Sequence, residues 1–239
     1  SLGKKLMRGG HDDQGAQAVK MDSFTLKRKD FKILITHERS GKIREACRVR
    51  GFDAYSNDLV DADDNSRYHF TCDVRDAIKA TSFDWDLIIM HPPCTALAVS
   101  GNSTYARGKK KHPLRIQAIK DTLELFDFAQ YYAPKVAFEN PVGVLPLKPD
   151  QYIQPYQFGH PESKKTGLWL CGLPLLKETC NVFDIYKALP RKEAMRLHYL
   201  PPSKDRAKIR SETFQGIANA IANQWATHSF NEISEILNV

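Results

Sequence analysis

The sequence predicts an α/β protein built on a doubly wound, mainly parallel sheet, and two patterns support this prediction. Short apolar runs typical of buried strands begin near Phe31 and recur along the chain, and segments with apolar residues at helical spacing separate them. Strands that alternate with helices form parallel sheets with helices on both faces. The chain has 239 residues, 42% of them hydrophobic, which is enough to bury a full core and excludes a disordered protein.

The predicted strands are short, and polar residues or prolines follow each of them. Residues 31–35 and 53–56 form the first two, and the apolar run at residues 85–90 forms a buried strand that stops at two prolines. Residues 136–138 form a further strand, which Glu139 follows. In doubly wound sheets, ligands bind beyond the carboxyl ends of the strands. The residues that follow these strands are therefore the candidates for a functional site.

Helical segments lie between and after these strands. The apolar residues at positions 43, 46 and 47 predict a helix that Gly51 ends. Residues 116–132 have the apolar spacing of a long amphipathic helix, and a helical pattern resumes over residues 214–237. Residues 173–210 are rich in proline and basic residues and have weaker periodicity, so we interpret them as a small insertion or lobe.

The chain ends and the cysteines limit the class of protein. Residues 1–20 are polar and lack an apolar period, so we interpret them as a tag or a disordered arm and assign residues 21–239 to a single domain. No apolar stretch is long enough for a membrane span and no secretory leader is present, so we expect no membrane partner and a cytoplasmic location. The five cysteines contain no C-x-x-C pair, which indicates neither a disulfide framework nor a metal site.

The formal net charge of +7 favours a polyanionic partner, although soluble proteins that bind no nucleic acid can carry the same excess. Clusters of basic residues are candidates for binding the phosphates of DNA. A solvated surface is the alternative explanation of each cluster. The candidates are Arg107, Lys109, Lys110, Lys111, Lys164 and Lys165, with a further basic stretch at residues 204–210.

The turn after the first strand has features of a nucleoside-binding turn. It contains Glu38, Ser40 and Gly41 before a helix, and glycine permits close approach of a ligand to the backbone there. The turn lacks G-x-G-x-x-G and a lysine-bearing phosphate loop, so a dinucleotide or a nucleoside triphosphate is not indicated. Asp58 and Asp73 follow the next two strands, where a carboxylate commonly binds ribose hydroxyls. An ordinary turn with solvated carboxylates is the alternative.

The strongest local signal is a pair of prolines followed by Cys94, directly after the buried strand at residues 85–90. Prolines make an extended, rigid turn that could hold the thiol at the edge of the sheet. A packed cysteine is the alternative. Glu139 and Asn140 follow another strand and offer a carboxyl group and an amide to the same crevice. A cysteine nucleophile and an acid that protonates a ring nitrogen are what covalent attack on a pyrimidine requires.

Several motifs together resemble the DNA cytosine-5 methyltransferase family, and they occur in that family's linear order. The resemblance rests on Pro92-Pro93-Cys94, Phe138-Glu139-Asn140-Pro141 and Gly216-Ile217-Ala218-Asn219-Ala220-Ile221. The chain is most similar to short phage-encoded members, over about residues 32–176. The motifs shared with those members are Glu38-x-Ser40-Gly41, Asn57-Asp58-Leu59, His91-Pro92-Pro93-Cys94-Thr95, Val99-Ser100-Gly101-Asn102 and the stretch at residues 154–161.

This resemblance implies the Rossmann-like fold of S-adenosylmethionine-dependent methyltransferases and methyl transfer from that cofactor to carbon 5 of cytosine in DNA. Cys94 would add to carbon 6 while Glu139 protonates ring nitrogen 3, and Asn140 would shape the glutamate loop. The residues that would hold the cofactor are Glu38, Ser40, Gly41, Asp58, Asp73, Pro92 and Asn219. A base in a duplex cannot reach such a thiol, so the target would be flipped out or already unpaired.

The chain also departs from the family. Thr95 replaces the glutamine that usually follows the nucleophile, Pro141 replaces a valine, and residues 164–166 are the nearest equivalent of the family's basic block. The region available for target recognition is short. This predicts low sequence specificity, a specificity partner protein, or single-stranded rather than double-stranded DNA as the substrate. Similarity to phage-encoded members also implies the cytoplasm of a bacterial or phage-infected cell.

Other functions are compatible with some of the same residues. An amino-methyltransferase also has two prolines after a buried strand, but His91 and Cys94 stand where its amide or carboxylate and its stacking aromatic residue belong. A related transferase could move a modified group, and an inactive homologue could bind DNA without turnover. An NAD-type oxidoreductase is disfavoured because its glycine fingerprint is absent.

Overall fold

The computed structural model describes residues 26–80 and 85–237, and the predicted tag or arm at residues 1–20 lies outside them. The strands are β1 (Lys32–Thr36), β2 (Asp53–Asp58), β3 (His69–Thr71), β4 (Leu87–Met90), β5 (Val136–Pro141), β6 (Gln151–Ile153) and β7 (Thr166–Cys171). Within the described residues they form one sheet in the order β3-β2-β1-β4-β5-β7-β6. Strands β1 to β5 pair in parallel, whereas β7 runs antiparallel to β5 and β6. This topology confirms the predicted doubly wound, mainly parallel sheet.

The helices range from single turns to the 21 residues of the longest one. They are α1 (Lys42–Arg48), α2 (Val74–Lys79), α3 (Asn102–Tyr105), α4 (His112–Tyr132), α5 (Phe183–Ala188), α6 (Arg191–Ala194), α7 (Arg196–Tyr199), α8 (Arg206–Ser211), α9 (Gln215–Ile221) and α10 (Thr227–Leu237). A π-helical stretch, Ala222–Ala226, joins α9 to α10, and short 3₁₀ turns occur at Arg28–Asp30, Val99–Gly101 and Pro155–Gln157.

Helices cover both faces of the sheet. Ile33 and Ile35 of β1 belong to a core that includes α1 and the C-terminal helices, whereas Leu34 between them belongs to a core with α2 and α4. Trp225 is a large, fully buried side chain of the first core and Trp85 of the second. Burial on both faces explains why the strands appear in the sequence as nearly continuous apolar runs.

The strands extend further at their carboxyl ends than the apolar runs predict. Strand β2 continues to Asp58, which pairs with Thr71, and β5 continues to Pro141, which pairs with Thr166. Backbone pairing does not depend on side-chain polarity, so the strands continue into the polar residues. As a result Asp58 and Glu139 lie on strands, where pairing fixes their positions.

The first half of α4 differs from the predicted amphipathic pattern. The helix begins at His112, and Ile116 is 54% exposed although the pattern places it on the buried face. Arg115 is buried in its place, and its guanidinium donates hydrogen bonds to the carbonyls of Ala96 at 2.7 Å and Ala98 at 3.2 Å. The need to satisfy these two carbonyls turns Arg115 inward.

The chain between β7 and α9 contains the four short helices α5 to α8. Their brevity agrees with the weak periodicity of this part of the sequence, and the interpretation of residues 173–210 as an insertion stays a prediction. Among the described residues, no helix combines the length and the apolar character needed to cross a membrane.

Candidate active site

Two hydrogen bonds shape the loop in which Cys94 follows β4. The Cys94 carbonyl accepts from the backbone N–H of Leu97 at 3.0 Å and of Ala98 at 2.8 Å, which closes the turn behind the half-buried thiol. Pro92 is buried, and its carbonyl accepts a hydrogen bond from Asn140 Nδ2 at 3.0 Å. Asn140 therefore ties the end of β5 to the turn that carries the thiol, and Pro92 supports that turn.

A second connection joins the loops that follow β4 and β5. Ala98 pairs with Gly143 in an isolated antiparallel bridge, and the Val144 N–H donates to the Leu97 carbonyl at 3.0 Å. A side chain at position 143 would place its Cβ 2.5 Å from that same carbonyl. Glycine is required there because the two loops approach too closely for a larger residue.

Glu139 lies at the end of β5, beside the end of β4. Its Oε2 is 3.8 Å from Nε2 of His91, the first residue after β4. The other ring nitrogen of His91, Nδ1, is 3.2 Å from the Thr36 carbonyl and donates to it. That bond fixes the tautomer and leaves Nε2 directed towards Glu139. Burial lowers the pKa of His91, so the imidazole is neutral at physiological pH.

The charges around Cys94 act in opposite directions. Burial raises the pKa of the Cys94 thiol and the charge of Glu139 raises it further, whereas Lys164 and Arg210 lower it. The sequence predicts Lys164 as a candidate phosphate contact, and that role stays a prediction. Lys164 is half-buried beside His91 and Glu139, with Nζ donating to the Glu212 carbonyl at 3.0 Å.

A narrow cleft lies between the sheet and α9. His91, Glu139 and Lys164 form most of its polar lining, and apolar side chains from β4 to β7 and α9 form the rest. Low polarity around a few charged groups strengthens their interactions with one another and with a bound ligand. This arrangement suits proton transfer and thiol chemistry on a flat, polar ring.

The turn after β1 is built around Glu38. Its carboxylate is 4% exposed and accepts hydrogen bonds from the backbone N–H groups of Ile43 at 2.6 Å and Arg44 at 3.3 Å. Burial raises the pKa of Glu38 to about 7. Gly41 has a φ of +67°, and the Arg44 guanidinium occupies the space that its Cβ would need. Glu38, predicted to bind the cofactor, therefore caps α1 and shapes the turn.

The ends of β1, β2 and β3 bring together a second group of polar residues. Asp58 Oδ1 accepts from the Val60 N–H at 3.4 Å, and Asp73 caps α2 by accepting from the Arg75 N–H at 2.8 Å. Ser40 is half-buried in the adjacent turn. The two aspartates are therefore on strand ends next to one another, as the sequence predicts.

His37 also belongs to the polar group at these strand ends, although it is not among the site residues predicted from the sequence. Its φ of +56° is unusual for a residue other than glycine. Burial lowers the pKa of His37 to about 4, and His91 contributes, while Asp58 and Asp73 act in the opposite direction. His37 thus links the ends of four strands. Its place immediately after β1 was the available signal.

The motif at residues 216–221 lies on α9. Asn219, predicted to bind the cofactor, is half-buried, and its Oδ1 accepts from Gln215 Nε2 at 3.3 Å. The helix begins where the Gly216 N–H donates to His160 Nε2 at 3.0 Å. Gly216 also packs against the backbone of Phe158, where a Cβ would collide. The stretch at residues 154–161 therefore positions the helix that carries Asn219.

The cluster Arg107, Lys109, Lys110 and Lys111 lies on the surface between α3 and α4. In the described part of the chain, none of the four side chains has an ion pair or hydrogen bond, unlike most other basic residues near the site. Lys165 is also exposed, with Nζ 4.3 Å from the ring centroid of Tyr152. These cations are available to an anionic partner.

No protein-family model matches the chain, and no curated protein matches it either. Solved structures that it resembles include the Entamoeba histolytica methyltransferase EhMeth, with a TM-score of 0.43 and 15% identity over 72% of this chain and 60% of that one. The Schizosaccharomyces pombe Dnmt2 methyltransferase has a TM-score of 0.41 and 17% sequence identity, and the match covers 73% of this chain and 60% of that one. A triple-alanine mutant of Dnmt2 from Spodoptera frugiperda has a TM-score of 0.35 and 16% sequence identity, and the match covers 62% of this chain and 53% of that one. The chain thus spans about 60% or less of the length of these proteins.

The order of the seven described strands, with β7 reversed between β5 and β6, is that of the Rossmann-like methyltransferase fold expected from the sequence.

Replacement of His37 by asparagine tests the electrostatic environment of the strand ends. Asparagine tolerates positive φ but does not titrate. The pKa of His37 is lower in the folded protein than its unfolded-state value of 6.5. The free energy of unfolding is therefore highest above pH 6.5 and falls as the pH decreases towards about 4. Between pH 7.5 and pH 5, we expect the free energy of unfolding of the wild type to fall by about 2 kcal/mol more than that of His37→Asn. Urea unfolding measures both values. The exposed His198→Asn variant is the control, and an unchanged difference would contradict the buried, neutral histidine.

Replacement of Glu139 by glutamine tests whether its charge acts on the thiol. Removing that charge should lower the pKa of Cys94, so Glu139→Gln should alkylate faster with iodoacetamide at Cys94 at neutral pH. The pH dependence is followed by mass spectrometry of the Cys94 peptide, with exposed Cys180 as the internal reference. The control is Glu124→Gln on the exposed face of α4. A slower reaction in Glu139→Gln would show that the two groups do not interact as described.

Proposed function

We propose that the chain is a DNA cytosine-5 methyltransferase that uses S-adenosylmethionine, with Cys94 as the covalent nucleophile and Glu139 as its acid. The observation that carries this proposal is the position of the two residues at adjacent parallel strands. Cys94 lies in the loop after β4 and Glu139 lies near the end of β5, where its charge acts on the Cys94 thiol. The motifs that resemble the family place the same two residues in the same roles. A nucleophile and an acid at one crevice support attack on a pyrimidine ring.

The proposed chemistry assigns each step to a group at this crevice. Glu139 donates its proton to ring nitrogen 3 of cytosine while Cys94 Sγ forms a bond to carbon 6, which makes carbon 5 nucleophilic. Carbon 5 would then take the methyl group as the bond between that group and the sulfonium sulfur breaks, which leaves S-adenosylhomocysteine. A water molecule takes the carbon 5 proton, Cys94 leaves carbon 6 as a thiolate to restore the ring double bond, and Glu139 takes back the proton from ring nitrogen 3. Asn140 keeps the thiol loop in place through its hydrogen bond to Pro92.

The opposing charges explain why Cys94 and Glu139 would act as a unit. An ionised Glu139 disfavours the Cys94 thiolate, whereas a protonated Glu139 has no such effect. The combination of acid and thiolate is the one that the reaction uses, and Lys164 and Arg210 favour it by stabilising the thiolate. Lys164 is also the group best placed to contact the cytosine carbonyl, in place of the family's missing basic block.

The residues at the ends of β1 to β3 fit the proposed cofactor. S-adenosylmethionine supplies an electrophilic methyl group on its sulfonium sulfur. Asp58 has one carboxylate oxygen that makes no hydrogen bond within the described residues, as a ligand of ribose hydroxyls requires. Asp73 and the Ser40–Gly41 turn would extend the same site, with Pro92 and Asn219 at its borders. Neutral His37 would contribute a nitrogen without repelling a cationic ligand.

DNA is the proposed substrate because unpaired cations lie next to the nucleophile loop. Arg107, Lys109, Lys110 and Lys111 precede α4, whose Arg115 holds that loop through two carbonyls. Phosphates bound there would position a strand with its target base flipped out or unpaired, since the thiol is half-buried. Residues 172–214 provide little surface for recognition of a longer sequence, which supports weak specificity, single-stranded DNA or a specificity partner.

Product analysis separates this proposal from its alternatives. With S-adenosylmethionine and cytosine-containing DNA, nuclease digestion and mass spectrometry should detect 5-methyl-2′-deoxycytidine. Cys94→Ser should lower its formation by about 10³-fold or more because the covalent step is lost, whereas Cys180→Ser should retain it. Methylation of the exocyclic amine that survives in Cys94→Ser would identify an amino-methyltransferase. DNA binding without any transfer would identify a binding protein.

The basic cluster gives a prediction for DNA binding. Replacing Lys109, Lys110 and Lys111 by glutamine should weaken binding to single-stranded DNA and reduce the slope of log K against log salt by about 2. Fluorescence anisotropy over a range of salt concentrations measures the slope. The control removes the same charge with glutamines at Lys27, Lys79 and Lys120, away from the nucleophile loop. Equal slopes in both triple variants would show that the cluster does not contact phosphates.

A further inference from the structure

A second, open cavity of about 230 Å³ lies beside the loops that follow β4 and β5 and has no part in the chemistry proposed for Cys94 and Glu139. The loop at residues 143–149 forms one side, and Tyr152 and Trp169 form the other. Pro146 and Pro149 contribute flat, apolar surfaces to its wall. The cavity thus combines rings and prolines with a similar share of polar surface.

Strand register fixes the distance of this cavity from the catalytic strand. Asn140 of β5 pairs with Gly167 of β7, and Gly167 pairs with Tyr152 of β6, so the three residues form a row across the sheet. Neighbouring strands are about 4.8 Å apart, which places the Tyr152 backbone about 10 Å from Asn140. The bridge between Ala98 and Gly143 connects the cavity loop to the nucleophile loop. Side chains alternate between the two faces of a sheet, so Tyr152 and Asn140 face the side opposite Glu139. A nucleotide next to the target base could reach the cavity across the carboxyl end of β5.

The floor of the cavity is rigid. Trp169 stacks on Phe138 with ring centroids 4.3 Å apart and an interplanar angle of 4°, and its indole N–H donates to the Leu147 carbonyl at 2.9 Å. A Cβ at Gly167 would lie 3.0 Å from the Trp169 ring and 3.2 Å from Pro149. Trp169 and Pro149 thus pack closely against Gly167, which helps to hold the floor of the cavity in place beside Tyr152.

The exposed part of the cavity combines apolar surface with positive charge. Tyr152 is 42% exposed and Leu147 is 47% exposed, so both side chains are accessible to a ligand. Lys165 Nζ lies 4.3 Å from the Tyr152 ring centroid, and the exposed Lys148 has no ion pair within the described residues. The nearby Asp150 already accepts a hydrogen bond from the Leu170 N–H. The surface is thus aromatic, flat and cationic.

We propose that this cavity is a binding subsite for a nucleobase that flanks the target cytosine, stacked on Tyr152, with its phosphate bound by Lys165 and Lys148. The proposal rests on the proposed function, since it assumes a nucleic-acid strand at the Cys94 loop. Proteins that bind unpaired strands use aromatic side chains as stacking platforms and cations for the backbone. Such stacking accepts any base, so the subsite supplies affinity and register without a long target-recognition region.

The test combines a variant series with single-stranded oligonucleotides. A fluorescein-labelled strand with one cytosine is prepared intact and with an abasic site at each flanking position in turn. Binding is measured by anisotropy for wild type, Tyr152→Ala, Tyr152→Phe and Lys165→Gln. The control is Tyr131→Ala, which removes a more exposed tyrosine, 84% accessible, from the far end of α4. Formation of 5-methyl-2′-deoxycytidine is measured on the same strands.

We expect Tyr152→Ala to bind the intact strand about 10-fold more weakly, Tyr152→Phe to bind nearly as wild type, and Tyr131→Ala to be unchanged. One flanking abasic position should weaken binding to wild type but not to Tyr152→Ala. Lys165→Gln should lower the salt dependence of binding.

The subsite would be overturned if each abasic position weakened binding equally in wild type and Tyr152→Ala. It would also be overturned if Tyr152→Ala bound the intact strand as tightly as wild type, even if methylation proceeds. Failure of wild type to bind any strand would overturn it as well. If one abasic position weakens binding to wild type but not to Tyr152→Ala, and no 5-methyl-2′-deoxycytidine is formed, the subsite stands and the proposed function is rejected.

Discussion

The parallel pairing of β4 with β5 is the contact on which the candidate site depends. It aligns Met90 with Phe138, so the next residues of the two strands, His91 and Glu139, emerge side by side at the same edge of the sheet. The bond from Asn140 to Pro92 and the bridge between the two following loops then hold the Cys94 turn against Glu139. Buried strands are the most rigid part of such a fold, and the site inherits that rigidity.

Low polarity around the charged groups gives this geometry its chemical consequence. His91, Glu139 and Lys164 line a cavity whose remaining surface is apolar, so each charge affects its neighbours more than it would in water. Burial keeps His91 neutral and opposes ionisation of Cys94, while Lys164 and Arg210 act in favour of the thiolate. The charge of Glu139 therefore opposes ionisation of the Cys94 thiol, and the two basic residues oppose that effect.

Local sequence patterns predicted the strands and the residues at their ends because buried apolar runs, prolines and polar turn residues are adjacent in the chain. Cys94, Glu139, Asp58 and Asp73 were identified in this way. The remaining features depend on contacts between distant segments. Lys164 reaches the cleft lined by His91 and Glu139 because β7 is inserted antiparallel next to β5. Arg115 turns inward to donate hydrogen bonds to the carbonyls of Ala96 and Ala98. The left-handed backbone of His37 likewise follows from tertiary packing and not from its neighbours in sequence.

Covalent trapping tests the central claim most directly. The protein is incubated with S-adenosylmethionine and DNA that contains 5-fluorocytosine, whose fluorine cannot leave from carbon 5 as a proton does. The account predicts a denaturant-stable adduct in wild type, mapped by mass spectrometry to Cys94 and absent from Cys94→Ser. A protein that binds both cofactor and DNA but forms no adduct, or forms one at another residue, would contradict the assignment of Cys94 as the nucleophile.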